Sequence, residues 1–396
     1  MPYIHITARD YHGHHWTGSS AHHQGSQLEE PSRVETPDFR FCVELGLVIR
    51  SRHVDHQNVS SLEVELSKQL TRAGIPNHIA GPDPSISSVS SREWTVTRDL
   101  CIPSRPKDHH FGIKLVSPFY RFSHRPHAWQ SGLRRLMHTL NEHFELTTSH
   151  QCFTHVHVVP ASGYWTLGQA KALAKSSLYF ERCLDALVPP YRRRSVWAKS
   201  NRHNAYFGEL SMAQCFERID AQTTIEGLGL RMNWCSAVSP TGVALGKAHD
   251  GVDFQHDAYR WSFVNLNEGD GFGTVEFRQP PGSTSASEAI TWVMLVGCLA
   301  RLSCGLGHSL EPRHTAKLKS LGEWLVYEAK WSDIPNKGLL KDLLKQAVPV
   351  ARTPGTIPGL DADAITIDED QRLRWKERDR NIAVEKYRRH LKHISS

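Results

Sequence analysis

The segment Phe41-Cys42-Val43-Glu44-Leu45-Gly46-Leu47-Val48-Ile49 decides the fold of this chain. Its apolar alternation runs through Phe41, Val43, Leu45, Leu47 and Ile49. A period of two is typical of a β-strand that buries one face. Glu44 falls on the opposite face, because successive side chains of a strand point to opposite sides. The segment therefore predicts a core strand with a carboxylate on its other face.

Working outward from this strand, helices and further strands follow one another along the chain. Apolar periodicity predicts helices over residues 59–73, 129–146, 167–187 and 287–306. Strand patterns cover residues 93–97, 112–116, 154–159, 259–266 and 273–278. Several connections are too short for helical crossovers, so they predict hairpins. The pattern indicates an α+β fold with a curved, mainly antiparallel sheet backed by helices.

The chain divides into three predicted parts. Residues 1–37 are polar and rich in histidine, which allows a metal-binding arm but favours a polar terminal segment. Residues 38–310 form the main domain. Residues 311–396 form a helical extension with a Pro/Gly-rich linker at 348–360 and a basic terminal helix at 372–396.

Composition and charge argue against several classes of protein. Hydrophobic residues make up 39% and charged residues 22% of the chain, which is typical of a soluble globular protein. The net charge is +6, but residues 372–396 alone hold nine Lys and Arg against three Asp and Glu. The rest of the chain is close to neutral, which does not favour nucleic acid as a partner.

The longest apolar run and the cysteines indicate the cellular compartment of the protein. The run at 289–300 is shorter than the roughly twenty residues of a membrane span, so we expect a buried helix and no membrane. The eight cysteines include no Cys-x-x-Cys pair. This spacing argues against a zinc ribbon or a disulfide framework and favours a reducing cytoplasm.

Three strands carry ionisable side chains opposite their apolar residues. Glu44 lies in the first, His155 and His157 share one face of the second, and Glu276 and Arg278 share one face of the third. Glu and His side chains from separate strands suit a divalent cation, and an adjacent Arg suits a phosphoryl or carboxylate group. Each pattern alone also fits an exposed strand face. The prediction of a cation site therefore requires that the three strands bring these side chains together.

Seven segments resemble, in the same order, signatures of the fungal amidoligase family. They lie within residues 38–306 and are Phe41-Cys42-Val43-Glu44-Leu45, Trp94 to Asp99, Gly112-Ile113-Lys114-Leu115-Val116-Ser117-Pro118, His155-Val156-His157-Val158, Ser200-Asn201-Arg202-His203-Asn204, Val264-Asn265-Leu266 and Gly273-Thr274-Val275-Glu276-Phe277-Arg278-Gln279. The chain is similar to a divergent member of this family, whose members are glutamine synthetase-like carboxylate–amine ligases.

The resemblance implies a sheet of the glutamine synthetase catalytic-domain type, with ATP and Mg²⁺ as cofactors. It implies that a carboxylate is phosphorylated and that an amine then captures the acyl phosphate. The substrates would be a small-molecule or peptide-like carboxylate and an amine. The oligomeric state is left open.

The resemblance also assigns roles to individual residues. The metal ligands would be Glu44, Glu276, and His155 or His157. Arg278 would bind the transferring phosphate with support from Arg202, and Asn204 would contact ligand beside Arg202. Asp99 would orient the amine or accept its proton, and Lys114 would bind substrate or replace a metal. The basic run Tyr191-Arg192-Arg193-Arg194 is interpreted as a solvated loop near these phosphates.

Three positions depart from the family pattern, which has a Ser where this chain has Cys101 and a Glu at each of the positions of Gly46 and Lys114. By the resemblance, the two Glu losses fall on one of two metal sites. One hypothesis is that the ammonium of Lys114 stands in for the second metal in room that Gly46 leaves open. The alternatives are a cleft reused for ATP-independent chemistry and a non-catalytic binding protein.

Overall fold

A computed structural model describes residues 37–80, 92–99, 101–123, 127–193, 195, 197–204, 206–234, 259–266, 273–306 and 310–347. The predicted linker and basic terminal helix lie outside the described residues, as does the polar segment up to residue 36. The described elements run β1 (Phe39–Ser51), α1 (Val59–Arg72), β2 (Asn77–Ile79), β3 (Trp94–Arg98), β4 (Phe111–Val116), β5 (Tyr120–Arg121), α2 (Ala128–His143), β6 (Phe144–Thr147), β7 (Phe153–Pro160), α3 (Leu167–Tyr179), α4 (Glu181–Asp185), α5 (Pro190–Arg193), α6 (Met212–Asp220), α7 (Ile225–Met232), β8 (Trp261–Ser262), β9 (Val275–Phe277), α8 (Ala286–Leu306), α9 (Leu318–Trp331) and α10 (Gly338–Lys345).

One open sheet contains the described strands, in the order β2-β3-β4-β1-β7-β9-β8. Strands β5 and β6 also pair with β1. The described pairs are antiparallel except for β2 with β3. The 13 residues of β1 let it pair with several shorter strands along its length. The mainly antiparallel sheet and its helices confirm this part of the predicted fold.

The apolar face of β1 lies against helices. Phe41 meets Trp129 of α2 edge-on, with ring centroids 5.3 Å apart. Helix α8 contacts both β1 and β7 and is buried along almost its whole length. Its 21 residues are long and apolar enough to cross a membrane, but 89% of the apolar window is buried inside the protein. The expectation of a buried core helix here is confirmed.

The element boundaries differ from the predicted ones in several places. The predicted helix at 129–146 is α2, which ends at His143, and strand β6 follows from Phe144. The predicted helix at 167–187 is two helices, α3 and α4, separated at Phe180, whose ring packs edge-on against Trp324. The predicted strand at 259–266 is the short strand β8 followed by a turn of 3₁₀ helix, Val264–Leu266. Helices α6 and α7 had no predicted counterpart, nor had β2 and β5, which are too short to show a period.

Helices α9 and α10 pack against α8. A buried ion pair joins α8 to α9, with Arg301 Nε 2.5 Å from Glu328 Oε1. The guanidinium of Arg301 also donates to the carbonyl of Pro37. The described part of the predicted C-terminal extension is thus packed onto the core, and the predicted domain boundaries stay predictions.

We expect Gly297→Ala to destabilise the protein by about 1–3 kcal/mol, because overpacking a filled core forces side chains and backbone to shift. A Cβ at Gly297 would lie 2.2 Å from a ring carbon of the buried Phe122. Gly168→Ala in α3 is the matched control, since a Cβ there meets nothing within 4 Å. Urea unfolding followed by circular dichroism would measure both, and equal midpoints for the two variants would contradict the packing argument.

Candidate active site

The register of the sheet places the predicted ligands on one face. Glu44 of β1 lies opposite His155 of β7, and His157 of β7 lies opposite Glu276 of β9. Residues paired across antiparallel strands point to the same side of the sheet. Lys114 of β4 joins the same face, because it lies opposite Gly46, two residues after Glu44. The sequence-predicted convergence therefore occurs.

The two carboxylates and two imidazoles are in close contact. Nδ1 of His155 lies 2.9 Å from Oε1 of Glu276 and 3.5 Å from Oε2 of Glu44. Nε2 of His157 lies 3.6 Å from Glu276 and 3.7 Å from Glu44. Each of Glu44, His157 and Glu276 offers one ligand atom, and these atoms lie within 4.8 Å of one another. We call these three buried residues the Glu–His–Glu group.

Unpartnered ring nitrogens make this group suitable for a cation. Nδ1 of His157 forms a 3.2 Å hydrogen bond with Thr274 Oγ1, which fixes the ring. Its Nε2 and both ring nitrogens of His155 are buried without a hydrogen-bond partner among the described residues, because the nearby carboxylate oxygens lie off the required direction. Carboxylate oxygens with an imidazole nitrogen form a ligand set for divalent cations. The residues therefore fit a metal ion.

Two basic side chains flank the group. Nζ of Lys114 lies 3.6 Å from Oε1 of Glu44, and the guanidinium of Arg278 lies 2.7 Å from Oε1 of Glu276. Burial raises the pKa of Glu276, but the charges of Arg278 and the histidines outweigh burial and lower it to about 2. Burial also raises the pKa of Glu44, but Lys114 and the histidines lower it well below its usual range. Both carboxyl groups are ionised at neutral pH.

The titration of His157 and Lys114 follows from the same charges. Burial lowers the pKa of His157, but the two carboxylates outweigh burial and raise it. Burial likewise lowers the pKa of Lys114, and the charges of Glu44, Asp99 and Glu276 raise it overall. Lys114 is therefore a cation in the folded protein.

Exposure identifies the solvent side of the group. The side chains of His157 and Glu276 are 1% and 4% exposed, whereas those of Arg278 and Lys114 are 11% and 18% exposed. A molecule that approaches from solvent thus meets the two cations before the buried ligands.

The space beside Gly46 is filled by an aromatic ring, which corrects the hypothesis that Lys114 takes it. A Cβ at Gly46 would lie 2.6 Å from a ring carbon of Phe153, its cross-strand neighbour on β7. The Phe153 ring also stacks on His155, with centroids 3.8 Å apart and planes at 14°. Sequence reasoning missed Phe153, because an aromatic residue in a strand has the pattern of an ordinary core residue.

Arg202 and Asn204 have a different role from the predicted ligand contacts. The Arg202 guanidinium donates to the carbonyls of Phe207 and Leu210. The Asn204 amide donates to the carbonyls of Arg231 and Met232, and its oxygen accepts from the backbone N–H groups of Tyr206 and Phe207. Both buried side chains hold the loop after residue 199 in place. Among the described residues, the hydrogen-bond partners of both side chains include no member of the Glu–His–Glu group.

Asp99 lies just beyond the end of β3. Its Oδ1 accepts a 2.7 Å hydrogen bond from the backbone N–H of Cys101, and the carboxyl group is half-buried. Its charge helps to raise the pKa of Lys114, so the carboxyl group lies near the ammonium of that residue. Its role toward an amine stays a prediction.

Arg192 is a buried support of the site rather than part of a solvated loop. Its guanidinium donates to the carbonyls of Gln279 at 2.9 Å, Arg278 at 2.7 Å and His150 at 3.4 Å. Burial lowers the pKa of Arg192 to about 10. These bonds fix the backbone at Arg278, and the sequence held no signal for them beyond the basic run itself.

A known protein family matches most of the main domain. The family described as "Putative amidoligase enzyme" matches residues 40–300. The match covers well over half of the 396 residues, and the chain belongs to this family. The predicted amidoligase resemblance is thus confirmed, whereas a fungal origin, divergence within the family and a glutamine synthetase-like fold stay predictions.

One solved structure that is similar to the chain is a bifunctional glutathione synthetase from Pasteurella multocida. The match has a TM-score of 0.36 and 11% sequence identity, and covers 88% of this chain and 53% of that chain. The chain thus spans about half the length of that protein, and a TM-score of this size supports no argument about function. No curated protein sequence matches the chain.

We expect Arg192→Met to lower the free energy of unfolding by roughly 3 kcal/mol, because it leaves buried carbonyl groups unsatisfied. Arg218→Met is the control, since Arg218 is exposed on α6. Chemical denaturation would measure both variants. Equal free energies of unfolding for the two variants would show that the hydrogen bonds of Arg192 do not stabilise the fold.

We expect the wild type to bind Mn²⁺ and Glu44→Gln to weaken this binding by about a hundredfold, because a ligand oxygen loses its charge. Glu217→Gln changes an exposed glutamate of α6 and should bind like the wild type. Electron paramagnetic resonance of free Mn²⁺ would give the affinities. Unchanged binding by Glu44→Gln would exclude the Glu–His–Glu group as the metal site.

Proposed function

We propose that this protein is an ATP-dependent carboxylate–amine ligase that acts on small-molecule or peptide-like substrates. The observation that carries the proposal is the buried Glu–His–Glu group with Lys114 and Arg278 on its solvent side. Membership of the amidoligase family supports it. The same membership supports a sheet of the glutamine synthetase type, which the antiparallel pairing accommodates.

In this proposal Glu44, His157 and Glu276 hold one Mg²⁺. When bound, the cation supplies positive charge that neutralises a transferring phosphoryl group. Thr274 orients His157 so that Nε2 faces the carboxylates, as neighbouring hydrogen bonds commonly do for metal-binding histidines. Nδ1 of His155 lies 2.9 Å from Oε1 of Glu276, the same oxygen that faces Nε2 of His157.

Arg278 holds the phosphate. Its guanidinium donates through Nη1 to Oε1 of Glu276 and through Nε to the carbonyl of Trp197, and its planar shape matches phosphate geometry. Arg192 fixes the main chain at this position, which limits the motion of the guanidinium. Preorganised donors of this kind stabilise charge that develops during phosphoryl transfer.

The reaction has two balanced steps. A substrate carboxylate oxygen bonds to the γ-phosphorus of ATP, and the bond to the β–γ bridging oxygen breaks with release of ADP. The amine nitrogen then bonds to the acyl carbon, and the bond to the phosphate oxygen breaks with release of inorganic phosphate. The amine loses a proton, and we assign Asp99 as its acceptor because it is a half-buried carboxylate whose charge acts on Lys114.

One observation favours a second candidate, a cleft used for binding or for ATP-independent chemistry. Lys114 and Arg278 already balance the charges of Glu44 and Glu276, so the cluster is electrically complete without a cation. A structural ion-pair network has the same composition. Nucleotide binding separates the two candidates.

We expect a non-hydrolysable ATP analogue to bind the wild type only with Mg²⁺, and Glu276→Ala to abolish this binding. Isothermal titration calorimetry would measure both, with Glu217→Gln as the control at an exposed position. Failure of the analogue to bind at any Mg²⁺ concentration would contradict the ligase and favour the second candidate.

A further inference from the structure

Three neighbouring positions on the Gly46 side of the Glu–His–Glu group have side chains without an oxygen ligand. Gly46 lies opposite Lys114 on one side and opposite Phe153 on the other. Gly46 has no side chain, Lys114 contributes an ammonium group, and Phe153 contributes a phenyl ring. Ligands for a hard divalent cation are oxygen atoms, with imidazole as the common nitrogen donor. The side chains of these three positions therefore cannot form a second cation site.

Phe153 also occupies the volume that such a site would need. Its ring is 7% exposed, approaches Gly46 closely enough to exclude a Cβ, and stacks on His155. A ring held between β1 and the His155 imidazole cannot move aside without losing that stack. The cleft next to Gly46 is consequently closed by an apolar group.

Lys114 provides the positive charge at the open side of the cleft. Its ammonium is 3.6 Å from Glu44 Oε1, which is too long for a direct hydrogen bond. Glu44 therefore attracts the ammonium by charge. The N–H donors of Lys114 can point toward another acceptor. Lys114 is also the most exposed member of the cluster, at 18%.

We infer that the site binds one divalent cation rather than two, and that Lys114 binds the anionic group of the acid substrate. The substrate class is a carboxylic acid whose reacting carboxylate lies between the cation and the Lys114 ammonium. This inference rests on the proposed function, because it names the acid subsite of the same ligase.

Lys114 has opposite effects on cations and anions. A cation bound by Glu44 would lie near the ammonium of Lys114, and like charges at such separations repel each other. Removal of the ammonium therefore strengthens cation binding and weakens anion binding. A lysine that only pairs with Glu44 would also repel the cation, so anion binding is the measurement that separates the two roles.

The experiment compares wild type, Lys114→Met, Lys114→Arg and Lys175→Met. Lys175 is the matched control, because it is a buried lysine paired with Asp220 on α3 and α6. Electron paramagnetic resonance counts bound Mn²⁺ and gives its affinity. Calorimetry with inorganic phosphate on the Mn²⁺-loaded protein measures anion binding, and thermal unfolding confirms that each variant is folded.

We expect one Mn²⁺ per chain in the wild type. Lys114→Met should bind Mn²⁺ more tightly and phosphate about tenfold more weakly, since a hydrogen bond to a charged group is lost. Lys114→Arg should keep the phosphate affinity, and Lys175→Met should match the wild type in both measurements.

Two Mn²⁺ per chain in the wild type would overturn the single-cation inference. Phosphate binding that is absent in the wild type or unchanged in Lys114→Met would overturn the role of Lys114. If Mn²⁺ and phosphate behave as expected while no ATP analogue binds, the ligase fails and the anion subsite stands. The two failures are thus distinguishable.

Discussion

The pairing register between β1 and β7 is the constraint on which the site and the core both depend. Opposite pairing of Glu44 and His155 puts the ionisable groups on one face and Phe41 on the other. Because side chains alternate along a strand, a slip of one residue would turn Glu44 into the core and Phe41 into the cleft. The apolar packing of Phe41 on Trp129 therefore also fixes the position of the carboxylate.

The second constraint is the burial of ionised carboxylates. An unpaired buried carboxylate is strongly destabilising, so each one here has a basic neighbour, Lys114 for Glu44 and Arg278 for Glu276. These pairs stabilise the folded chain before any ligand arrives. They also reduce the attraction of the cluster for a cation. The arrangement thus balances the stability of the empty cleft against its affinity for metal.

The sequence predicts those parts of the site that strand periodicity controls. Alternation assigns Glu44, the two histidines and Glu276 to faces, and the sheet brings these faces together. Family resemblance adds Lys114, which the register places opposite Gly46.

The remaining features depend on contacts that no local pattern encodes. Arg202 carries a family motif, yet its partners are main-chain carbonyls, whose positions are set by the folding of the following loop. The role of Phe153 depends on Gly46, which faces its ring on the neighbouring strand. The end of α3 coincides with the packing of Phe180 on Trp324. The fold class and the convergence of Glu44, His157 and Glu276 are therefore readable from the chain, whereas side-chain bonds to the main chain and exact helix ends are not.

Helix α8 has a consequence for how the chain is made. Its apolar surface is extensive enough to suit a lipid environment, and in the folded protein it is covered by β1, β7, α2 and α3 and by α9 and α10. The first four of these elements precede α8 in the chain, and α9 and α10 follow it. Since synthesis proceeds from the N-terminus, the first four partners of α8 leave the ribosome before it does. The helix thus emerges beside a partly formed surface that can cover it, which shortens the time in which targeting factors or chaperones compete for it.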